Sequence, residues 1–70
     1  MNYVVHLFYK GYVVYCSTLA EALLVTRIKD TSHYKVFETT ENRESGTELA
    51  DWAWAFELKE GRHKCRVVEL

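Results

Sequence analysis

Runs of β-branched and aromatic residues flank one amphipathic segment of helical period in this chain. Residues 3 to 9 (YVVHLFY) and 12 to 16 (YVVYC) are typical of strands. Lys10-Gly11 between them predicts a two-residue turn, so the two strands are expected to form an antiparallel hairpin. Both faces of this hairpin are apolar, which indicates either a central place in a sheet or a partner on the second face.

Residues 17 to 30 (STLAEALLVTRIKD) have the period of an amphipathic helix. Thr18 and Glu21 predict a capping box, with Ser17 as the alternative cap. Leu24 and Ile28 extend the apolar arc beyond what one sheet face requires, which indicates a surface for self-association or for a partner.

Residues 33 to 40 (HYKVFETT) predict a third strand, and residues 41 to 48 (ENRESGTE) a polar, charged loop. The following stretch, ELADWAWAFELKEG, permits two interpretations. On a strand, four large side chains share one face: Trp52, Trp54, Phe56 and Leu58. On a helix over residues 47 to 60, Ser45 and Glu48 would form a capping box, Gly61 would end the helix, and Trp54 would face away from Trp52.

We favour the strand, because it buries every large side chain at once. A turn at Glu60-Gly61 then sets Glu57 opposite Lys64, which pairs opposite charges across a closing hairpin, and Ala55 opposite Arg66. The expected fold is a single α+β domain over residues 1 to 70, with two layers, an antiparallel sheet and one main helix in the order β-β-α-β-β-β. The alternative order is β-β-α-β-α-β, with residues 47 to 60 helical.

Composition is that of a folded domain, with 49% hydrophobic and 27% charged residues and a net charge of −1. With this net charge, the chain has no global basic field to attract nucleic acid. The first residues lack the pattern of a signal peptide, no run is long enough to cross a membrane, and two cysteines cannot form a multi-bridge scaffold. We expect a cytoplasmic protein with reduced thiols.

Four residues are of types that bind zinc, namely His6, Cys16, His63 and Cys65. The predicted first hairpin sets Tyr9 opposite Tyr12, which places His6 and Cys16 on opposite faces. His63 and Cys65 share a face, but that face is assigned to the core, where a thiol is inert. We therefore expect no metal, no cofactor and no catalytic activity.

Charge is concentrated late in the chain. Residues 38 to 60 carry seven acidic and two basic side chains, a local charge of −5, and a basic run, RHKCR, follows. Together with the polar loop, this predicts a partner-binding set: Glu41, Glu44, Glu48, Asp51, Glu57, Arg62, Lys64 and Arg66.

Residues 12 to 38, strand then helix then strand with the motif Thr18-Leu19-Ala20-Glu21-Ala22-Leu23, resemble an element common in small phage-encoded proteins. The element is similar to the strand-helix-strand of the phage T7 inhibitor family of bacterial RNA polymerase. That family consists of compact α+β proteins that bind a host enzyme through a charged surface. The resemblance implies a short, non-enzymatic and viral protein acting in the host cytoplasm.

The leading hypothesis is a protein-interaction module that binds and modulates or inhibits another macromolecule, such as a host or defence protein. Five Tyr and two Trp favour recognition by surface, and surplus apolar positions favour a homodimer. The alternative is a nucleic-acid-binding or antitoxin-like regulator using the basic C-terminal hairpin.

Overall fold

The computed structural model describes residues 2–29, 33–61 and 63–70, and these form five strands, one 3-10 turn (Phe8–Lys10) and two α-helices. In chain order the elements are β1 (Tyr3–Leu7), β2 (Tyr12–Cys16), α1 (Leu19–Ile28), β3 (Tyr34–Thr39), β4 (Glu48–Ala50), α2 (Asp51–Lys59) and β5 (Cys65–Val67). The strands make one antiparallel sheet in the order β4-β2-β1-β3-β5. The predicted α+β class with an antiparallel sheet is confirmed.

β1 is the central strand, and its two-sided apolar pattern follows from that position. One face of the sheet packs against α1, in a core of Val5, Leu7, Val14, Cys16, Ala22 and Val36. The other face packs against α2, in a core of Val4, Val13, Tyr15 and Trp54. The predicted two layers are therefore three, because a second helix covers the face that the sequence left unassigned.

The turn of the first hairpin is longer than the predicted two residues. Phe8–Lys10 forms a 3-10 turn, and Gly11 closes it in the left-handed region at φ 76°. The register consequently sets Leu7 opposite Tyr12 and His6 opposite Val13. The predicted pairing of Tyr9 with Tyr12 is wrong. The shift in pairing is even, so no side chain changes face, and Cys16 still lies on the face opposite to that of His6.

The predicted cap of α1 is confirmed. Thr18 Oγ1 accepts a hydrogen bond from the Glu21 N–H at 3.1 Å, and Glu21 Oε2 accepts one from the Ser17 N–H at 3.1 Å. Ala22 and Thr26 are buried against the sheet, and Leu24 and Ile28 are exposed.

The favoured strand over residues 52 to 58 is wrong, and the helical alternative is correct there. Residues 48 to 50 first pair with the edge of β2, and the chain then turns into α2. Alanine, leucine and glutamate favour a helix, and a helix can cover the apolar second face of the sheet where a sixth strand would not. Gly61, at φ 73°, follows the C-terminus of α2 as the helical alternative required.

Two further details of that stretch differ from expectation. The helix begins at Asp51, whose N–H donates to the Gly11 carbonyl at 3.0 Å, and no side chain caps it, so the predicted Ser45 capping box is wrong. The closing hairpin is also absent, because β5 pairs with β3. Arg66 therefore lies opposite Glu38 rather than Ala55.

Candidate functional site

Two acidic residues of the predicted partner-binding set meet in one place. Glu41, just after β3, and Glu57, on α2, lie in contact with Arg43 and His63. We call these four residues the ionic cluster. It lies between α2 and the loops that follow β3 and precede β5.

Hydrogen bonds of the adjoining backbone fix the segments that carry the cluster. Thr39 Oγ1 accepts from the Glu41 N–H at 3.1 Å, and Thr40 Oγ1 accepts from the Lys64 N–H at 3.3 Å. The Thr40 N–H donates to the Lys64 carbonyl at 3.2 Å. These bonds extend the β3–β5 pairing and bring His63 beside Glu41.

Arg43 joins the two carboxylates. Its Nη2 atom donates to Oε1 and Oε2 of Glu57 at 3.2 and 2.8 Å, and its Nε donates to Glu41. The neighbouring carboxylates raise the pKa of Arg43, chiefly through the hydrogen bond to Glu41. His63 Nε2 lies 3.2 Å from Glu57 Oε2 and 3.3 Å from Glu41 Oε1, so the imidazole also faces both carboxylates.

Tyr15 closes the cluster from the core side. Its hydroxyl donates to Glu41 Oε2 at 2.5 Å, and the Arg43 guanidinium lies 5.1 Å from its ring centroid. Burial raises the pKa of Tyr15, and the hydrogen bond and negative charge of Glu41 raise it further. The phenol therefore stays protonated and acts as a donor. The Glu41 side chain is only 8% exposed, so these partners replace nearly all of its water.

A divalent metal ion is the obvious ligand to consider at this cluster. Single donor atoms of Glu41, Glu57 and His63 all lie within 4.8 Å of one another, and their chemistry suits zinc or manganese. The Arg43 guanidinium already supplies the positive charge that both carboxylates need, however. A divalent ion would have to displace that guanidinium, so the geometry favours a structural ion network that anchors α2.

The two thiols do not complete a nucleophilic site. Burial raises the pKa of Cys16 to about 11 and raises that of Cys65 as well, which keeps both in the less reactive neutral form. The Nε2 atom of His63 faces the carboxylates of the ionic cluster.

The remaining predicted residues are scattered. Glu48 pairs with Lys29 at 3.6 Å, and Asp51 lies 3.4 Å from His6 Nε2. Arg66 pairs with Glu38 on the sheet. Glu44 and Lys64 are exposed, and Arg62 lies outside the described residues. The predicted pair of Glu57 with Lys64 does not form, because Glu57 is on a helix and contacts Arg43.

A second candidate surface runs along α2. Trp52 is 75% exposed and Phe56 is 57% exposed, whereas Trp54 is 4% exposed. The prediction that all three are buried together is wrong, because a helix turns about 100° per residue and separates Trp54 from the other two. Lys59 lies one turn beyond Phe56 and is also exposed. We call Trp52, Phe56 and Lys59 the α2 ridge.

The rest of α2 is held firmly under this ridge. The Trp54 ring packs against Phe37 and His6, with centroids 5.1 and 5.4 Å away. Leu58 packs against the same core cluster. Among the described residues, Trp54 Nε1 is the one buried side-chain nitrogen or oxygen without a hydrogen-bond partner, so this ring is placed by packing alone.

No protein-family model, curated protein or solved structure matches the chain. The resemblance of residues 12 to 38 to phage inhibitors therefore stays a prediction. In the described part of the chain, neither helix has the length and apolar character needed to cross a membrane.

Sequence reasoning found Glu41 and Glu57 but missed Tyr15, Arg43 and His63 as their partners. It also assigned Trp52 and Phe56 to the core. The signal for the α2 ridge was present in the helical alternative, where these two aromatics are four residues apart and share one face. No local signal joins Arg43 to Glu57, because that contact depends on how α2 crosses the sheet.

Proposed function

We propose that this chain is a small non-enzymatic protein-interaction module that docks onto another protein through the α2 ridge and modulates it. The observation that carries the proposal is the exposure of Trp52 and Phe56, one helical turn apart on a rigidly held helix. Tryptophan and other large aromatics supply much of the binding energy at protein interfaces.

The ridge is ready to bind without further ordering. Trp54 fixes α2 to the sheet, and the ionic cluster holds its C-terminal half through Glu57. A helix that presents anchors at positions i and i+4 fits an apolar groove on a partner. Because the helix is already formed, docking requires no ordering of its backbone, and the ordering cost within this chain is limited to the side chains of the ridge.

Four carboxylates of the predicted partner-binding set already have partners within the chain. Glu41 and Glu57 are satisfied within the cluster, Glu48 by Lys29 and Asp51 by His6. Carboxylates that already face an arginine, lysine or histidine gain little from a basic surface, since the existing contacts must first be broken. We therefore propose that the apolar α2 ridge, rather than the predicted acidic residues, makes the main contact with the partner.

Affinity capture tests this proposal. The tagged wild-type chain is compared with a Trp52→Ala/Phe56→Ala variant and with a Tyr9→Ala control, which removes an aromatic side chain that is 81% exposed elsewhere. We expect a partner retained by wild type and by Tyr9→Ala and lost by the ridge variant, while circular dichroism shows that all three are folded. Equal retention of the partner by all three proteins would refute the role of the ridge.

The narrower hypothesis, a phage-encoded inhibitor of a host or defence protein, rests on the resemblance of residues 12 to 38. Identification of the captured partner tests it. A bacterial enzyme whose activity falls on addition of the chain is the outcome it predicts.

A further inference from the structure

An apolar groove lies on the opposite side of the sheet from the α2 ridge. It runs between α1 and the loop at Ser45-Gly46 and has a volume of about 200 Å³. Its walls are almost entirely apolar and include Val14, Cys16, Leu24, Val25 and Ile28. Leu24 and Ile28 stand on its rim with 52% and 69% of their surface exposed.

The size of the groove indicates what it can hold. Pockets for small-molecule ligands usually have volumes of about 300–1,000 Å³ and carry several polar groups that orient the ligand. This groove is smaller and offers almost no polar wall. A single large apolar side chain suits it better than a metabolite does.

The α2 ridge supplies such side chains in Trp52 and Phe56. The charges beside the two surfaces are complementary. Within α2, Lys59 is the one charged residue on the outward face, since Asp51 and Glu57 are turned toward His6 and Arg43.

One acidic side chain lies at the groove. Glu21 is one of its lining residues, and the hydrogen bonds that it accepts from Ser45 and Ser17 lower its pKa, which keeps it negatively charged.

We propose that the groove beside α1 accepts the α2 ridge of a second copy of this chain. The inference rests on the proposed function of the ridge as a docking surface and adds a second copy of the chain as one of the partners of that surface. An aromatic side chain of one copy fills the apolar groove of the next, and Lys59 approaches Glu21.

The positions of the groove and the ridge on the molecule determine which kind of assembly they can form. Val14 and Cys16 place the groove on the α1 face of the sheet, and Trp54 holds the ridge on the α2 face. One partner cannot contact both faces at once. The contact is therefore head to tail, and it builds rings or open chains rather than a closed symmetric dimer.

Two variants that each lose one surface test the inference. Trp52→Ala removes the main anchor and leaves the groove intact. Ile28→Glu places a charge on the groove rim and leaves the ridge intact. Both residues are largely exposed, so both variants are expected to fold, and thermal melts check this. Ala20→Glu, an exposed position on α1 that does not line the groove, is the matched control.

Sedimentation velocity gives the readout. The interface is small, so we expect weak association, with Kd on the order of 10–1,000 µM. Wild type and Ala20→Glu should form species larger than a dimer as concentration rises, and each surface variant alone should stay monomeric. An equimolar mixture of Trp52→Ala and Ile28→Glu should form a dimer that grows no further, since it retains one intact ridge and one intact groove.

Different results would contradict the head-to-tail assembly and the proposed function. A wild-type chain that stays monomeric at about 1 mM, or a mixture that forms no dimer, would overturn head-to-tail assembly. If the ridge variant nonetheless loses a foreign partner in the capture experiment, the proposed function stands. Assembly that persists in Trp52→Ala would show that the ridge is not the contact.

Discussion

Trp52 and Trp54 are two residues apart on α2, yet Trp52 is 75% exposed to solvent and Trp54 only 4%. Because a helix turns about 100° per residue, the two side chains point to different sides of α2. Trp54 packs in the core, and Trp52 is a surface anchor. The same short segment thus fixes α2 to the sheet and presents the α2 ridge to a partner.

Fluorescence quenching distinguishes the two indoles. A Trp54→Phe variant retains only Trp52, and a Trp52→Phe variant retains only Trp54. We expect Trp52 to emit at the longer wavelength typical of exposed indole and acrylamide to quench it several-fold more efficiently than Trp54. Equal quenching of the two single-tryptophan variants would contradict the helical placement of residues 52 to 58.

Removing the cation of the ionic cluster should destabilise the fold. Arg43→Ala leaves Glu41 buried without its guanidinium partner, so we expect the free energy of unfolding to fall by about 1–3 kcal/mol. Urea denaturation measures this loss. Arg66→Ala is the matched control, because the Arg66 side chain is 80% exposed, and its pair with Glu38 is expected to contribute no more than about 0.5 kcal/mol. If the free energy of unfolding fell equally in the two variants, burial of the ionic cluster would not add to the stability of the fold.

Stability should decline in alkaline solution. Burial raises the pKa of Cys16 from 9.0 to about 11 and also raises that of Tyr15. Because the folded state holds these protons more tightly than the unfolded state, unfolding releases protons once the pH exceeds about 9. The free energy of unfolding is then expected to fall between about pH 9 and pH 11, and further as Tyr15 contributes.

Urea denaturation at pH 8, 9, 10 and 11 measures that decline. Cys16→Ala and Tyr15→Phe should each flatten the pH dependence, since each removes one of the responsible groups. If the free energy of unfolding fell with pH as steeply in both variants as in wild type, residues other than Cys16 and Tyr15 would be responsible.

The sequence predicted the class of fold and the cap of α1 because these depend on local signals. Strand residues, the Thr18-Glu21 spacing and the helical period of residues 19 to 28 each act over a few neighbours. The first hairpin register was missed because a 3-10 turn replaced the two-residue turn, and turn geometry depends on details that Lys10-Gly11 alone does not specify.

Local sequence patterns did not decide the secondary structure of residues 51 to 59. Alternating large and small residues fit a strand, and the alanine content fits a helix, so periodicity could not decide between them. The uncovered face of the sheet, lined by Val4, Val13 and Tyr15, decided for the helix. The ionic cluster then followed from the position of α2, because Arg43 and Glu57 are 14 residues apart and meet only in the folded chain.

Affinity for the captured partner measures how much the α2 ridge contributes to docking. The dissociation constant is measured by calorimetry for wild type, for Trp52→Ala and Phe56→Ala, and for Lys64→Ala, which removes an exposed charge outside the ridge. If the α2 ridge is the docking surface, each aromatic change weakens binding by about 30-fold or more, and Lys64→Ala changes it by less than about threefold. Wild-type affinity in both aromatic variants would show that the partner does not bind through the α2 ridge.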